Sequence, residues 1–192
     1  MRLLIIVFFL VLPACGAKTQ DIWGVKAGLN VATLGSGSIN KPRLGYHLAT
    51  YYAQHIESQY GWQIGLQYSL QGARVNNSAN GRLAYHYLSM PLLMKLYFGR
   101  SSYLEVGPQL AYLLQANYLE TGFKEDKTAT VRRWDFSGIA GLGYETASGG
   151  IMGLRFALGF LNTSGASVGN TVVFRNLVLQ LYVGFKIKEL NE

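Results

Sequence analysis

The sequence predicts an all-β fold, an eight-stranded antiparallel up-and-down transmembrane β-barrel with a filled polar lumen, short periplasmic turns and longer external loops. Three observations predict it. Segment after segment alternates apolar and polar residues with the period of two that a strand imposes. In the clearest of them, 59–71, the polar side holds Gln, Gly and Ser instead of surface Lys and Glu, while aromatics flank the apolar side. The connections between segments run alternately short and long, as in barrels with tight inner turns and extended outer loops.

The clearest strand is Gln59 to Gln71. Tyr60, Trp62, Ile64, Leu66, Tyr68 and Leu70 form one face; Gln59, Gly61, Gln63, Gly65, Gln67, Ser69 and Gln71 form the other. A tilted membrane strand needs about 9–11 residues, so the stretch is long enough to cross. Before it, 22–33 puts Trp23, Val25, Ala27, Leu29 and Val31 outward, with Gly24, Lys26, Gly28 and Asn30 inward. Residues 43–54 set Leu44, Tyr46, Leu48 and Tyr52 against Gly45, His47 and Ala49. After it, 85–98 sets Leu88, Met90, Leu92, Met94, Leu96 and Phe98 against Ser89, Lys95 and Tyr97. Residues 103–116 put Leu104, Val106, Leu110, Tyr112 and Leu114 outward, and Glu105, Gly107, Gln109 and Gln115 inward.

The last three strands follow the same rule. Residues 134–146 set Phe136, Ala140, Leu142 and Tyr144 against Asp135, Ser137, Gly141, Gly143 and Glu145. Residues 151–161 set Met152, Leu154, Phe156, Leu158 and Phe160 against Gly153, Arg155, Ala157 and Gly159. In 174–187, Leu177, Leu179, Leu181, Val183, Phe185 and Ile187 oppose Asn176, Gln180, Tyr182, Gly184 and Lys186. The short connections are 55–58, 99–102 and 147–150; the long ones are 35–42, 74–82, 117–133 and 162–173. A soluble lipocalin-like barrel would place apolar groups inside and charge outside, the reverse of this pattern.

Composition narrows the alternatives. Of 192 residues 49% are hydrophobic and only 14% charged, against about 25% charged in ordinary soluble domains. No mature segment offers the roughly 18 consecutive apolar residues of a membrane helix. Residues 1–17 read as a signal peptide: Arg2, an apolar run from Leu3 to Pro13, then Ala14, Cys15, Gly16 and Ala17. Cleavage after Ala17 leaves 18–192 as one barrel domain; the competing reading is lipidation at Cys15, with Pro13 poorly suited to a lipobox. Cys15 is the only cysteine, so cleavage after Ala17 leaves a chain with no disulfide chemistry. The net charge of +7 is spread through the sequence. It fits loops at anionic lipid headgroups, and no nucleic-acid partner is expected.

An eight-stranded interior is just wide enough for side chains to fill. Lys26, Lys95, Arg155 and Lys186 are therefore expected to share the lumen with Glu105, Asp135, Glu145 and His47. Enclosed charges persist when paired and hydrogen-bonded. A turn centred near Arg100 sets Lys95 across from Glu105, and one centred near Gly150 sets Glu145 across from Arg155; both are predicted as ion pairs. Pro91 and Pro108 lack the N–H that a closed ladder uses, and the same arithmetic puts them at one height, where a shared bulge or local break is expected. Tyr85 and Tyr87 at one rim, and Trp23 near the other, read as interface anchors.

Several of these motifs together resemble the Bacteroidetes outer-membrane β-barrel family of the PorT-like kind. The resemblance rests on Gly24-Val25-Lys26-Ala27-Gly28-Leu29-Asn30, Gly45-Tyr46-His47, Gln67-Tyr68-Ser69 with Gly72, and above all Tyr87-Leu88-Ser89-Met90-Pro91-Leu92-Leu93-Met94-Lys95. Gly107-Pro108, Asp135-Phe136, Gly141-Leu142-Gly143-Tyr144-Glu145 and Arg155 extend it over essentially the whole mature chain. It implies an outer-membrane barrel of a didermic bacterium and little settled function; one member is tied to protein secretion. The chain departs from the usual terminal aromatic, continuing past Phe185 through Lys188 to Glu192, so an internal assembly signal is expected around Tyr182 to Ile187.

Three function classes follow. An interaction or scaffold barrel would display its loops, with Glu120, Lys124, Glu125, Asp126, Lys127, Arg132 and Arg133 in the 117–133 connection as a possible contact surface for an envelope protein. A narrow pore or secretion-associated barrel is the alternative. A lipid-modifying enzyme would need a nucleophile, base and orienting group within reach. His47 is expected in the lumen, His55 in a turn, and His86 on the strand face opposite Ser89, so no triad forms. No catalytic residue, cofactor or metal site is expected, and the interaction class is preferred.

Overall fold

The computed structural model describes residues 20–35, 40–56, 59–75, 81–120, 123–126, 128, 131–161 and 175–190. The signal-peptide reading of 1–17 lies outside them, as do the 162–173 connection and parts of the other long ones. Nine strands follow in order: β1 (Gln20–Gly35), β2 (Asn40–His55), β3 (Tyr60–Val75), β4 (Arg82–Phe98), β5 (Ser102–Glu120), β6 (Phe123–Asp126), β7 (Trp134–Glu145), β8 (Gly150–Gly159) and β9 (Arg175–Leu190). Every neighbouring pair is antiparallel; β1 pairs with β9, and β4 with β5 as well as β3. Eight strands thus close on themselves, which leaves no open edge of unpaired backbone in lipid. The ninth, β6, folds back on β5 within the 117–133 connection.

The alternation read from the sequence is the alternation of the wall. Leu29, Leu44, Leu48, Leu66, Leu142, Leu181 and Ile187 stand exposed on the outer face, an apolar band that only a lipid surround accommodates. Rings gird it near both ends. Trp23 packs on Tyr52 at 5.1 Å and Tyr52 on Trp62 at 5.5 Å near the turn end, while Tyr112 meets Trp134 at 4.9 Å near the loop end. Trp23 therefore sits where an interfacial anchor is expected. Two short turns depend on glycine: Gly99 and Gly149 adopt φ of 74° and 86°, a region costly for residues with a Cβ.

Three expectations need correction. Tyr85 and Tyr87 are not interface anchors; both are buried inside, packed with Ala73, Ala111, Leu113 and Ala116. Their position two residues apart on the inward phase of β4 outweighs the usual preference of Tyr for a membrane rim. Gln115 is exposed, not luminal, because a register shift between His86 and Tyr87 makes Gln115 and Leu113 successive partners across β5. Leu114 is the extra residue, and the phase beyond it is inverted. At the prolines, by contrast, the expected local break is found, without a bulge: the β4–β5 ladder stops at Pro91–Gln109 and resumes at Met94–Val106 in the same register. Gln59 is exposed before β3 begins at Tyr60.

Candidate functional site: the layered lumen

Glycines opposite tyrosines give the lumen its shape. Tyr51 faces Gly24, Tyr103 faces Gly143, and Tyr182 faces Gly153 across the ladders. A Cβ on any of these glycines would overlap the ring of its partner, so each ring lies over a bare backbone and its hydroxyl points into the interior. Tyr103 and Tyr182 meet hydroxyl to hydroxyl at 2.9 Å, and Tyr182 donates to Glu105 Oε1 at 3.0 Å.

Around this aromatic frame the charges form two buried groups near the turn end. Arg155 holds Glu105 with two parallel bonds, Nε to Oε1 and Nη2 to Oε2, the latter 2.9 Å. Lys95 reaches Glu145 Oε1 at 3.0 Å, Tyr97 donates to the same oxygen at 3.1 Å, and Lys186 takes Oε2 at 2.8 Å. All four predicted partners are thus luminal, but their pairing is exchanged. Lys95 does stand opposite Glu105 in register. Glu145, however, faces Ile151, and Arg155 faces Gly141. Because Gly141 has no side chain between them, Arg155 reaches across it to Glu105 two strands away. That leaves Lys95 for Glu145.

Lys26 is held differently. It donates to Gln63 Oε1 at 3.0 Å and lies between the rings of Tyr51 and Tyr182, 4.8 and 4.6 Å from their centroids. Ring faces and an amide oxygen thus take the place of a carboxylate. Nearby, His47 Nδ1–H donates to Asn30 Oδ1 at 2.6 Å, and Asn30 Nδ2 donates to Ser69 Oγ at 2.8 Å. The expected luminal site of His47 is correct, and its hydrogen bonds go to neutral partners.

Two places loop-ward of Lys95, Arg155 and the neutral residues that share their layer comes an apolar layer. Leu93 follows Lys95, Ile139 follows Gly141, Ala157 follows Arg155, Val178 follows Gln180 and Ala32 follows Asn30, and these five pack together. Beyond them lie Gln71, Gln109, Asp135, Ser137 and Asn176, and then the Tyr85–Tyr87 cluster. The lumen is therefore filled, as expected, but not uniformly polar. The sequence signal for the apolar layer, isolated small or branched residues on the polar phase, is present but gives no hint that they meet.

His86 sits outward, its Nδ1 2.6 Å from the Tyr68 hydroxyl, and Ser89 is buried and donates to the Gln67 carbonyl at 3.3 Å. The two do indeed occupy opposite faces. His55, expected in the turn, closes β2 and lies 4.6 Å from the Tyr97 ring. Among the described residues no three His, Cys, Asp or Glu side chains gather as a metal site.

A family model described as outer membrane protein beta-barrel domain matches residues 20–165. The chain belongs to that family. It is an outer-membrane β-barrel protein of the bacterial envelope. Among solved structures, Neisserial surface protein A superposes with a TM-score of 0.61 over 86% of this chain and 97% of that one, at 10% identity. The attachment invasion locus protein of Yersinia pestis, Ail, superposes with a TM-score of 0.52 over 88% and 99%, at 11% identity. Such distant identities establish the shared barrel and nothing more specific. No curated protein matches the sequence.

Proposed function

We propose that this outer-membrane barrel acts as a non-enzymatic structural and interaction protein of the envelope, working through its outer surface and loops instead of its lumen. One observation carries the reading: the lumen is filled by two groups of buried ion pairs backed by an apolar layer. Every carboxylate oxygen of Glu105 and Glu145 is engaged. Ions crossing it would have to break buried pairs and then pass Leu93, Ile139 and Val178, an apolar constriction that disfavours water and charge. The non-enzymatic part is supported by His47, which bonds the Asn30 amide oxygen instead of a nucleophile. The motif around Pro91 and Lys95 supports placing the chain with PorT-like barrels of Bacteroidetes-like bacteria, with segment 117–133 as the surface offered to an envelope partner.

Two experiments test this. Planar bilayers containing the purified barrel should show no steady unit conductance; reproducible channels would overturn the filled-lumen reading. Crosslinking in native outer membrane, with the wild type and a deletion of 120–130, should capture a partner only when the loop is present.

A further inference from the structure

The wall is taller on one side than on the other. β4 and β5 run 17 and 19 residues, against 12 in β7 and 10 in β8. Since about 9–11 residues cross the membrane, the surplus of β4 and β5 stands beyond it as a flap. The ends of β2 and β3 extend this flap on one side and β6 on the other. Its outer face carries a row of like charges. Lys41 on β2 pairs with Arg74 on β3, and Arg74 pairs with Arg82 on β4. Arg82 pairs with Leu119 on β5, whose other partner is Lys124 on β6. All four cations are exposed. Their phase is outward: Ala73, next to Arg74, is buried inside, and Leu83, next to Arg82, packs on the luminal Tyr85–Tyr87 cluster.

Like charges directly opposite on neighbouring strands destabilise a sheet. Lys41, Arg74 and Arg82 have no acidic residue opposite them in the ladder. Behind them Arg43 donates to the Leu83 and Gln71 carbonyls, at 2.6 and 3.4 Å, and adds a cation whose partners are neutral. The flap by itself thus carries a repulsion that an anionic partner removes.

Height and neighbours select that partner. Arg74 lies about 20 Å up-strand of Tyr68, at the level where Tyr68 meets His86 and Tyr112 meets Trp134. Lipid headgroups sit at that aromatic level, so the anion reaches the row from beyond the bilayer. A second copy is a poor match, because the chain carries a net charge of +7. A uniformly anionic polymer matches only one end of the row. At the other end Leu119 interrupts the cations, and Glu120 and Asp126 stand exposed on the same hairpin. A polypeptide offers carboxylates to the first end and apolar or basic groups to the second. We propose that the outer face of the flap binds an acidic extramembrane segment of another envelope protein. Its carboxylates lie on Lys41, Arg74 and Arg82, and its adjoining residues meet Leu119 and the hairpin. This docking face rests on the interaction role proposed above and gives the partner its charge.

A photo-crosslinking amino acid in place of Leu119 tests this in native outer membrane, with the crosslinked peptide sequenced by mass spectrometry. The intact row should give a discrete polypeptide adduct whose crosslinked stretch is rich in Asp and Glu. Arg74→Glu with Arg82→Glu should lower the adduct yield about tenfold or more, because it sets like charges across the interface. Arg74→Lys with Arg82→Lys should keep most of the yield, and Arg100→Gln, at the turn end, should leave it unchanged. A synthetic peptide of the sequenced stretch should bind the full mature barrel in phosphatidylcholine nanodiscs, and more weakly at high salt. The same peptide with its acids replaced by Lys should bind the Glu pair instead. Heat-modifiable gel mobility confirms that each variant is folded, and Arg74→Gln with Arg82→Gln takes the place of the Glu pair if that does not fold. An adduct lost on deleting 120–130 but kept in the Glu pair would overturn the acidic-segment site and leave the interaction role standing. A polysaccharide adduct, or a crosslinked stretch without acids, would likewise overturn the site alone. No polypeptide adduct in any arm would overturn both.

Discussion

The two halves of the lumen treat their buried carboxylates in opposite ways. Toward the turns, Glu105 and Glu145 have every oxygen engaged by Arg155, Lys95, Lys186 or a tyrosine hydroxyl. Toward the loops, the Tyr87 hydroxyl and Oδ1 of Asn117, Asp135 and Asn176 have no partner among the described residues. Charge can be enclosed in the first half because counter-charges meet there with good geometry. The second half relies on apolar contact among Tyr85, Tyr87, Leu113 and the alanines around them. Ion-pair mutations should therefore be felt strongly at one end and hardly at the other.

The largest effect should come from Glu105→Gln, which leaves Arg155 buried without its counter-charge; breaking one side of such a pair costs about 3–5 kcal/mol. Urea titration of the barrel in phospholipid vesicles, followed by heat-modifiable mobility, reads it directly. Asp135→Asn, the matching change at the other end, should leave the midpoint almost where it was. A loss at Asp135 equal to that at Glu105 would erase the distinction.

Tyr182→Phe removes a donor to an ionised carboxylate and should cost about 1.5–3 kcal/mol. Tyr87→Phe removes a hydroxyl with no partner among the described residues and should be neutral or slightly stabilising in the same titration. Gly143→Ala would push a methyl into the Tyr103 ring, an overpacking worth about 1–3 kcal/mol. Its partner test is Tyr103→Ala, which removes the ring and should make Gly143→Ala nearly silent.

The smallest effect lies outside the membrane. Asp126 Oδ1 accepts the Thr128 backbone N–H at 2.8 Å and also its hydroxyl, and these bonds hold the carboxyl below its usual range. Since the folded form binds this proton less readily than the unfolded chain, its contribution is present above the ordinary Asp value of about 3.9. It is lost as the pH falls through the lower folded value. Thr128 Oγ1 also accepts the Ala116 amide at 3.0 Å. The protection of the Ala116 amide relative to its intrinsic exchange rate at the same pH should therefore fall in acid, and Thr128→Val should abolish that acid dependence.

Much of the wall was legible residue by residue. The stripe from Tyr60 to Leu70 faces outward and its Gln-Gly-Ser side inward because a strand's period of two is a local property. Lys26, Lys95, Glu105, Glu145 and Arg155 could be assigned to the lumen for the same reason. Tyr85, Tyr87 and Gln115 could not be placed, since preference for an interface and strict alternation both yield to packing and to a single extra residue in β5. The β6 strand was equally hidden, four residues of mixed charge with no period of their own.

By itself, then, the sequence determined the number of strands in the wall, most of their inner and outer faces and the charged residues that the barrel encloses, because these follow from local alternation and turn length. Only the tertiary structure decided who meets whom. Which carboxylate Arg155 holds, which residues make the apolar layer, and that Lys41, Arg74, Arg82 and Lys124 share one row all depend on register between strands far apart in the chain. Register in turn is set by bulges and by bare glycines such as Gly141, whose effects reach across the sheet and leave no trace in the local pattern.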